Sequence, residues 1–421
     1  MKIVIFTHSQ YSHFATSMQI SRRIKEHLVY FFYDAKFENY VLQEKKCNIT
    51  FIKYSSEIDK FFVDIKKEYQ TIDDGLKVER NIDSIEGMIR EASFSYEFML
   101  RCSKVYFNSL IDIIKRIKPD CIFRDSCCLF GRFIGDYFKI PIVGFTTSST
   151  IVEDEQTYSK KSFLEMVFNY NLNLFEDTEV KKLYVGIKDE FQRLSDKYEI
   201  RQFPINYLFD PDEKVNFCFG LPFTVNYKEN YLYLKPFLFE NIVQLPLKQD
   251  RNCIYVSAGS TISFPLIIYN FLLNIAARSQ MLYYVTFIYS ESIYIKFHHL
   301  LPTNVKMERR HNQLQVLKES NLFVSHGGYN SLLESIFYEV PLLILPMCSD
   351  QFFDAEYAQR NGIALYLDYN TFDSSQDLHY KMDEIITNKC FYENVKRLKR
   401  KIQELGTFED FIMSLETLLN S

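Results

Sequence analysis

Short runs of β-branched and aromatic residues alternate along this chain with longer stretches in which apolar positions recur every three or four residues. The first run, residues 2–6, reads as a strand, followed by a polar loop and a helical pattern over about 14–26 that includes Met18, Ile20 and Ile24. Residues 28–32 and 49–52 read as strands, about 82–117 as one long amphipathic helix, 121–123 as a strand introduced by Pro119, and 141–145 as another. From 158 to about 217 the pattern is helical and aromatic. Residues 221–247 carry Pro222, Pro236 and Pro246 with no clear period, which places a linker at 237–251. A second series then begins: strand 254–257, helix 266–278, strands 282–288 and 322–325, helix 330–338, strand 342–345, helix 352–361 and a helical tail.

Strand and helix in alternation make parallel βαβ units with helices on both faces. The pattern predicts an α/β protein of two doubly wound parallel-sheet domains facing each other across a cleft. At 421 residues the chain exceeds what one core usually serves, and 47% apolar content suffices for two. The expected division is 1–236, linker 237–251, 252–404, and a terminal helix at 405–421 packing back toward the first domain.

Charge and composition mainly exclude. A net charge of −5, from 49 basic and 54 acidic residues with no concentrated basic stretch, argues against nucleic acid as a partner. The opening MKIVIFTHSQ has an apolar run too short for a secretory segment, and 340–348 is broken by two prolines, so a cytoplasmic protein without an integral membrane segment is expected. The nine cysteines include no CxxC pair and read as reduced thiols. Thirty Tyr, 39 Phe and no Trp follow from A/T-rich codon usage as readily as from an aromatic binding surface.

The segment LFVSHGGYNSLLE, 322–334, carries the most chemistry. Glycine is scarce, twelve in the chain, yet Gly327 and Gly328 stand together where a strand gives way to a helix. Such a pair lets backbone N–H groups approach an anion, and Asn330 and Ser331 at the helix start can donate to phosphate oxygens beside the helix dipole. Glu334, one turn on, lies on Asn330's face and can reach the sugar hydroxyls of a nucleotide. An ordinary strand-turn-helix corner with a capping Asn is the blander alternative.

The surrounding residues resemble the C-terminal signature of the UDP-glycosyltransferase family, a GT-B family of two Rossmann-like domains. The match runs from QLQVL (Gln313, Val316, Leu317) through His326, Gly327, Gly328, Asn330, Ser331 and Glu334 to VPLLILPMCSDQ (Pro341, Pro346, Asp350, Gln351), with YVSAGS at 255–260 similar to the family's donor-binding turn. The resemblance implies that His326, Ser260, Asn330 and Ser331 contact a diphosphate, Glu334 a ribose, and Asp350 and Gln351 the transferred sugar. Arg310 stands where the family has a Trp stacked on uracil. A guanidinium stacks on a base too, so the base is less determined than the diphosphate.

In the family, a His in the loop after the first strand deprotonates the acceptor and an Asp orients it. Here the loop reads THSQYSHFAT; His13 takes that place, with Ser12 and Thr16 where the family has Gly and Pro, and His8 competes. Asp125, following the strand in KPDCIFRD, is the orienting candidate; the alternatives are an N-cap of the helix near Gly131, or a carboxylate whose charge is taken by Arg124. The resemblance therefore implies an inverting, metal-independent hexosyltransferase that needs no cofactor. It would move a sugar from a UDP-sugar, or another NDP-sugar, to a hydroxyl of a small, largely apolar acceptor such as a natural product. A monomer or homodimer is expected. A hydrolysing nucleotide-sugar epimerase and a non-catalytic activator subunit of another glycosyltransferase remain open.

Overall fold

The computed structural model describes the chain except for residues 45, 57, 59–83, 150–158, 169, 171, 222–229, 241–250, 260–262, 348, 369–374 and 421. Most of the expected linker and Ser260 therefore lie outside the described residues. The chain forms two compact units, Met1–Leu234 with Gly406–Ser421, and Lys235–Leu405.

The first unit is built on β1 (Lys2–Phe6), β2 (Leu28–Tyr33), β3 (Ile49–Lys53), β4 (Cys121–Asp125), β5 (Ile142–Thr146), β6 (Val215–Phe219) and β7 (Tyr231–Leu234). They pair in the order β3-β2-β1-β4-β5-β6-β7, every pair parallel. Residues of β4, β5 and β6 are buried throughout, because helices cover both faces of a parallel sheet. The long helix observed is Ile85–Ile117. It starts where the Ser84 hydroxyl accepts from Gly87 N at 3.1 Å and stops at Lys118, whose φ of 52° turns the chain out. The terminal helix Phe408–Asn420 is fixed by aromatic packing: Phe411 lies 5.1 Å from Phe217 and 6.3 Å from Phe123, and Phe408 lies 5.6 Å from Phe217.

The second unit holds β8 (Cys253–Ser257), β9 (Leu282–Thr286), β10 (Val305–Glu308), β11 (Ser320–Ser325), β12 (Leu342–Ile344) and β13 (Ala364–Tyr366), ordered β10-β9-β8-β11-β12-β13 and again all parallel. Its core packs Val256, Phe264, Leu272, Val285, Leu322 and Val324 between sheet and helices. No helix among the described residues is long and apolar enough to cross a membrane.

Several elements depart from the sequence pattern. β6 falls in a stretch read as helical, since a fully buried VNFCF shows no alternation to set it apart from a buried helical turn. β7 emerges from the aperiodic proline-bearing segment. β10, β13 and the helices Glu291–His298 and Gln313–Glu319 are too short to stand out in a window of a dozen residues.

A buried ionic cluster ties β4 to the segment before β6. Glu213 accepts from Arg124 at 2.7 Å and Arg132 at 2.9 Å, both guanidiniums fully buried, and from the more exposed Arg201 at 3.1 Å. Both buried arginines also donate to the Pro211 carbonyl at 2.5 Å, and Arg132 lies 3.9 Å over the Phe203 ring. Removing Glu213 would leave two buried cations without their carboxylate. Glu213→Ala should therefore cost about 3–5 kcal/mol, whereas Arg201→Ala, whose side chain is 55% exposed, should cost less than about 1 kcal/mol. Urea unfolding of the two variants checks this; equal midpoints would mean that the cluster adds nothing beyond a surface pair.

Candidate functional site

Both sheets reverse strand order beside their first strand, at β1/β4 and at β8/β11. Ligands of open parallel sheets bind outside the carboxyl ends of strands at this point. The expected site residues that follow β4 and β11, and His13 after β1, fall there.

In the first unit, β1 ends at Phe6 and the loop re-enters a helix at Tyr11, which places His13 in that helix's first turn. Asp125 is the last residue of β4, fully buried. His13 Nδ1 and Asp125 Oδ2 are 2.8 Å apart, and Asp125 Oδ1 accepts from Cys127 N at 3.0 Å. Burial pushes the Asp125 carboxyl up, but the His13 and His8 imidazoles and the hydrogen bonds from His13 and Cys127 outweigh it, so it sits below the usual carboxylate value and is ionised. Both alternatives for Asp125 fail. The helix Phe130–Phe138 is preceded by Leu129, and the Arg124 guanidinium turns to Glu213. The His8 ring lies edge-on to His13 at 5.1 Å; its Nδ1 accepts from Gln10 N at 3.4 Å, and burial, with His13 beside it, pulls its pKa down to about 4.

In the second unit, β8 and β11 end alike, in VSAG and VSHG, with Ser257 paired to Ser325 across the sheet. Each serine hydroxyl accepts from the N–H of the glycine two residues on, Gly259 at 3.2 Å and Gly327 at 3.1 Å, and both glycines have positive φ, 89° and 86°. The His326 imidazole occupies the space two absent side chains leave: a Cβ on Gly259 would lie 2.8 Å from its Cε1, and one on Gly328 2.5 Å from its Nε2. Its Nδ1 is buried without a hydrogen-bond partner among the described residues, and burial lowers its pKa to about 4, so the ring is neutral. The helix Tyr329–Phe337 starts at Gly328 with no side-chain cap, which excludes Asn330 as the cap and leaves first-turn N–H groups for a ligand.

Asn330 and Ser331 lie in that first turn, and Ser331, Glu334 and Gln313 form one network. Gln313 Nε2 donates to Ser331 Oγ at 3.2 Å and to Glu334 Oε2 at 2.5 Å, while the Tyr255 hydroxyl donates to Gln313 Oε1 at 3.3 Å. Asp350 and Gln351 open the helix Ser349–Arg360, and Gln351 Oε1 accepts from Met347 N at 2.8 Å. Arg310 is exposed between β10 and the helix that Gln313 begins. Sequence reasoning missed two side chains: the Tyr255 hydroxyl and the Cys127 thiol. Tyr255 stood within a quoted motif; nothing in the spacing of 13, 125 and 127 signals that their side chains meet.

The family model described as UDP-glucoronosyl and UDP-glucosyl transferase matches residues 303–404. In Bacillus subtilis, the uncharacterized UDP-glucosyltransferase YojK is 23% identical over 315 residues, 73% of this chain and 75% of its own length. NDP-glycosyltransferase YjiC of the same organism is 22% identical over 329 residues, 76% and 78% of the two chains. The solved structure of CalG4, the calicheamicin glycosyltransferase, superposes with a TM-score of 0.71 at 17% identity, covering 100% of this chain and 98% of that one; VinC in complex with dTDP gives 0.69 at 14%, covering both chains fully. The chain is similar to the UDP-glycosyltransferase family over residues 303–404. It is a sugar-transferring enzyme with the GT-B pair of Rossmann-like domains.

Within this glycosyltransferase, Glu334 has a titration of its own. Partial burial pushes its carboxyl up from 4.5 to about 7 against the opposing hydrogen bond from Gln313. A carboxyl raised in the folded state gives stability that is fully present below 4.5 and lost as pH rises through about 7. The ligand-free protein should thus lose on the order of 2 kcal/mol across that window relative to Glu334→Gln. Paired denaturation curves at pH 4.5 and pH 7.5 measure it; parallel pH dependence in the two proteins would show that Glu334 titrates normally.

Proposed function

We propose that the enzyme transfers a sugar from UDP-sugar, or a related NDP-sugar, to a hydroxyl of a small, largely apolar acceptor, with inversion at the anomeric carbon and His13 as base. The 2.8 Å His13–Asp125 pair carries this reading. With Asp125 ionised, the imidazole proton belongs on Nδ1, donated to the carboxylate, and Nε2 is left to accept the acceptor's proton. As that O–H bond breaks, the oxygen attacks the anomeric carbon opposite the diphosphate, whose bond to carbon breaks with the electron pair leaving on phosphate. Asp125 stabilises the imidazolium that forms. His8, with no carboxylate among the described residues at hydrogen-bonding distance and with a pKa of about 4, is the weaker base.

The leaving diphosphate is assigned to the first-turn N–H groups of Tyr329–Phe337, to Asn330 and Ser331, and to His326, whose unpartnered Nδ1 gains a partner when an anion arrives. Glu334, held by Gln313, is assigned to the ribose, Asp350 and Gln351 to the sugar, and Arg310 to the base. YojK and YjiC, named a UDP-glucosyltransferase and an NDP-glycosyltransferase, support a nucleotide-sugar donor. Oriented protein donors at the diphosphate take the place of a metal in stabilising its charge, so turnover is expected to persist in chelator.

His13→Ala and Asp125→Asn should each lower kcat by about 10²- to 10⁴-fold, the double variant losing little more than the worse single one. UDP affinity, measured by calorimetry, should not move. His8→Ala is the control: transfer lost there but kept in His13→Ala reassigns the base, and transfer kept in both removes both histidines from that role.

The donor side is tested by His326→Ala, expected to weaken UDP binding and to lower kcat, since charge on the diphosphate grows as the bond breaks. Arg310→Ala should cost on the order of 1 kcal/mol of UDP affinity, with Arg310→Lys recovering little if the planar guanidinium stacks on the base. Unchanged kinetics in His326→Ala remove that residue from the seat.

A further inference from the structure

The turn after β4 brings a third donor to the base. Cys127 follows Asp125 by two residues, and its thiol sulfur, a His13 ring nitrogen and an Asp125 carboxylate oxygen all lie within 4.8 Å of one another; Nδ1 is the nitrogen that faces Asp125, at 2.8 Å. The three residues come from the first turn of one helix and from the turn that ends β4, so the fold and not a sequence motif gathers them. His13 and Asp125 are buried, and the half-buried Cys127 opens the group to solvent. A nitrogen, an oxygen and a sulfur in this disposition are the donors that a borderline-soft divalent ion selects over calcium or magnesium.

We propose that His13, Asp125 and Cys127 form a binding site for zinc or a zinc-like divalent ion, and that its occupancy shuts off transfer. In a tetrahedral zinc site the ligand atoms stand roughly 3.3–3.8 Å apart. Cys127 lies in a turn outside any strand or helix, where its thiol can rotate inward from the Leu208 carbonyl it now faces at 3.7 Å. Binding forms Zn–N, Zn–O and Zn–S bonds and breaks one S–H bond, whose proton goes to solvent. The imidazole proton moves from Nδ1 to Nε2, so the ring stays neutral, Asp125 is already ionised, and one proton is released per ion. The fourth position is left to water.

The consequence for catalysis rests on the reading of His13 as base. Metal on Nδ1 requires the proton on Nε2, the nitrogen assigned to take the acceptor's proton, and the Asp125 oxygen that would orient the ring is spent on the ion. A site that activates an acceptor when empty is inactive when filled. Binding itself does not depend on that reading, which lets the two be separated.

Cobalt(II) is the probe, because coordination by a thiolate gives a near-ultraviolet charge-transfer band and a tetrahedral site gives strong visible bands. The full chain with the exposed Cys47 and Cys390 changed to serine removes the exposed thiols among the described residues. Titration of that protein should produce both bands, zinc should abolish them, and Cys127→Ala or His13→Ala in the same background should lack the charge-transfer band. In parallel, zinc should inhibit sugar transfer reversibly, with EDTA restoring it, and Cys127→Ala should need at least about tenfold more zinc for half-inhibition, each protein being referred to its own metal-free rate. No band in the parent, a band that survives Cys127→Ala, or equal zinc sensitivity with and without Cys127 overturns the proposal. A Cys127-dependent band in a protein whose sugar transfer zinc leaves unchanged upholds the metal site, overturns its control of transfer and removes His13's role as base.

Discussion

An all-parallel sheet returns every strand through a crossover, so all its strands end on one edge, and the reversal of order beside the first strand leaves a crevice there. The residues assigned to chemistry in this glycosyltransferase depend on that constraint. In the first unit it brings the helix after β1 against the end of β4, which closes the 2.8 Å contact between His13 and Asp125 across 112 positions of sequence. In the second it sets the VSAG and VSHG ends side by side, so that two glycines of opposite strands bound one imidazole.

Holding a carboxylate ionised at the buried end of β4 requires that nothing nearby claim it. Arg124, the adjacent residue, is fully buried and would be the natural competitor. Glu213 prevents this by drawing Arg124 and Arg132 together, while the Arg124 guanidinium donates to the Ser126 carbonyl at 3.0 Å and steadies the turn that carries Cys127. The stability of the first unit and the electrostatics of its dyad therefore share one set of side chains.

The alternation of strands and helices, the two-sheet architecture and the segment around Gly327 were legible because each is written in consecutive residues. Elements hidden from the sequence were those whose signal is short or uniformly apolar, such as β6, β10 and β13. Within the site, Asp125 could be nominated from its place after a strand, but its choice between His13, Arg124 and a helix cap turns on distances that only the fold provides. The Cys127 thiol was invisible for the same reason: a donor set drawn from positions 13, 125 and 127 has no linear spacing to recognise.

The two units solve opposite electrostatic problems with similar scaffolds. Around Asp125, imidazoles and a backbone N–H keep a fully buried carboxyl charged. Among the described residues no cation is hydrogen-bonded to the Glu334 carboxyl and only Gln313 donates to it, and the group is pushed up to about 7, while His326 is held neutral at about 4. The second unit thus presents an anion with an uncharged imidazole, helix-terminal N–H groups and a carboxyl that sheds its charge with little provocation. Such a seat avoids burying a fixed cation when it is empty, a cost of several kcal/mol per unpaired ion. On the proposed assignment it would meet a diphosphate with dipoles that are already oriented, which is where an interaction that strengthens as the leaving charge grows does most for the rate.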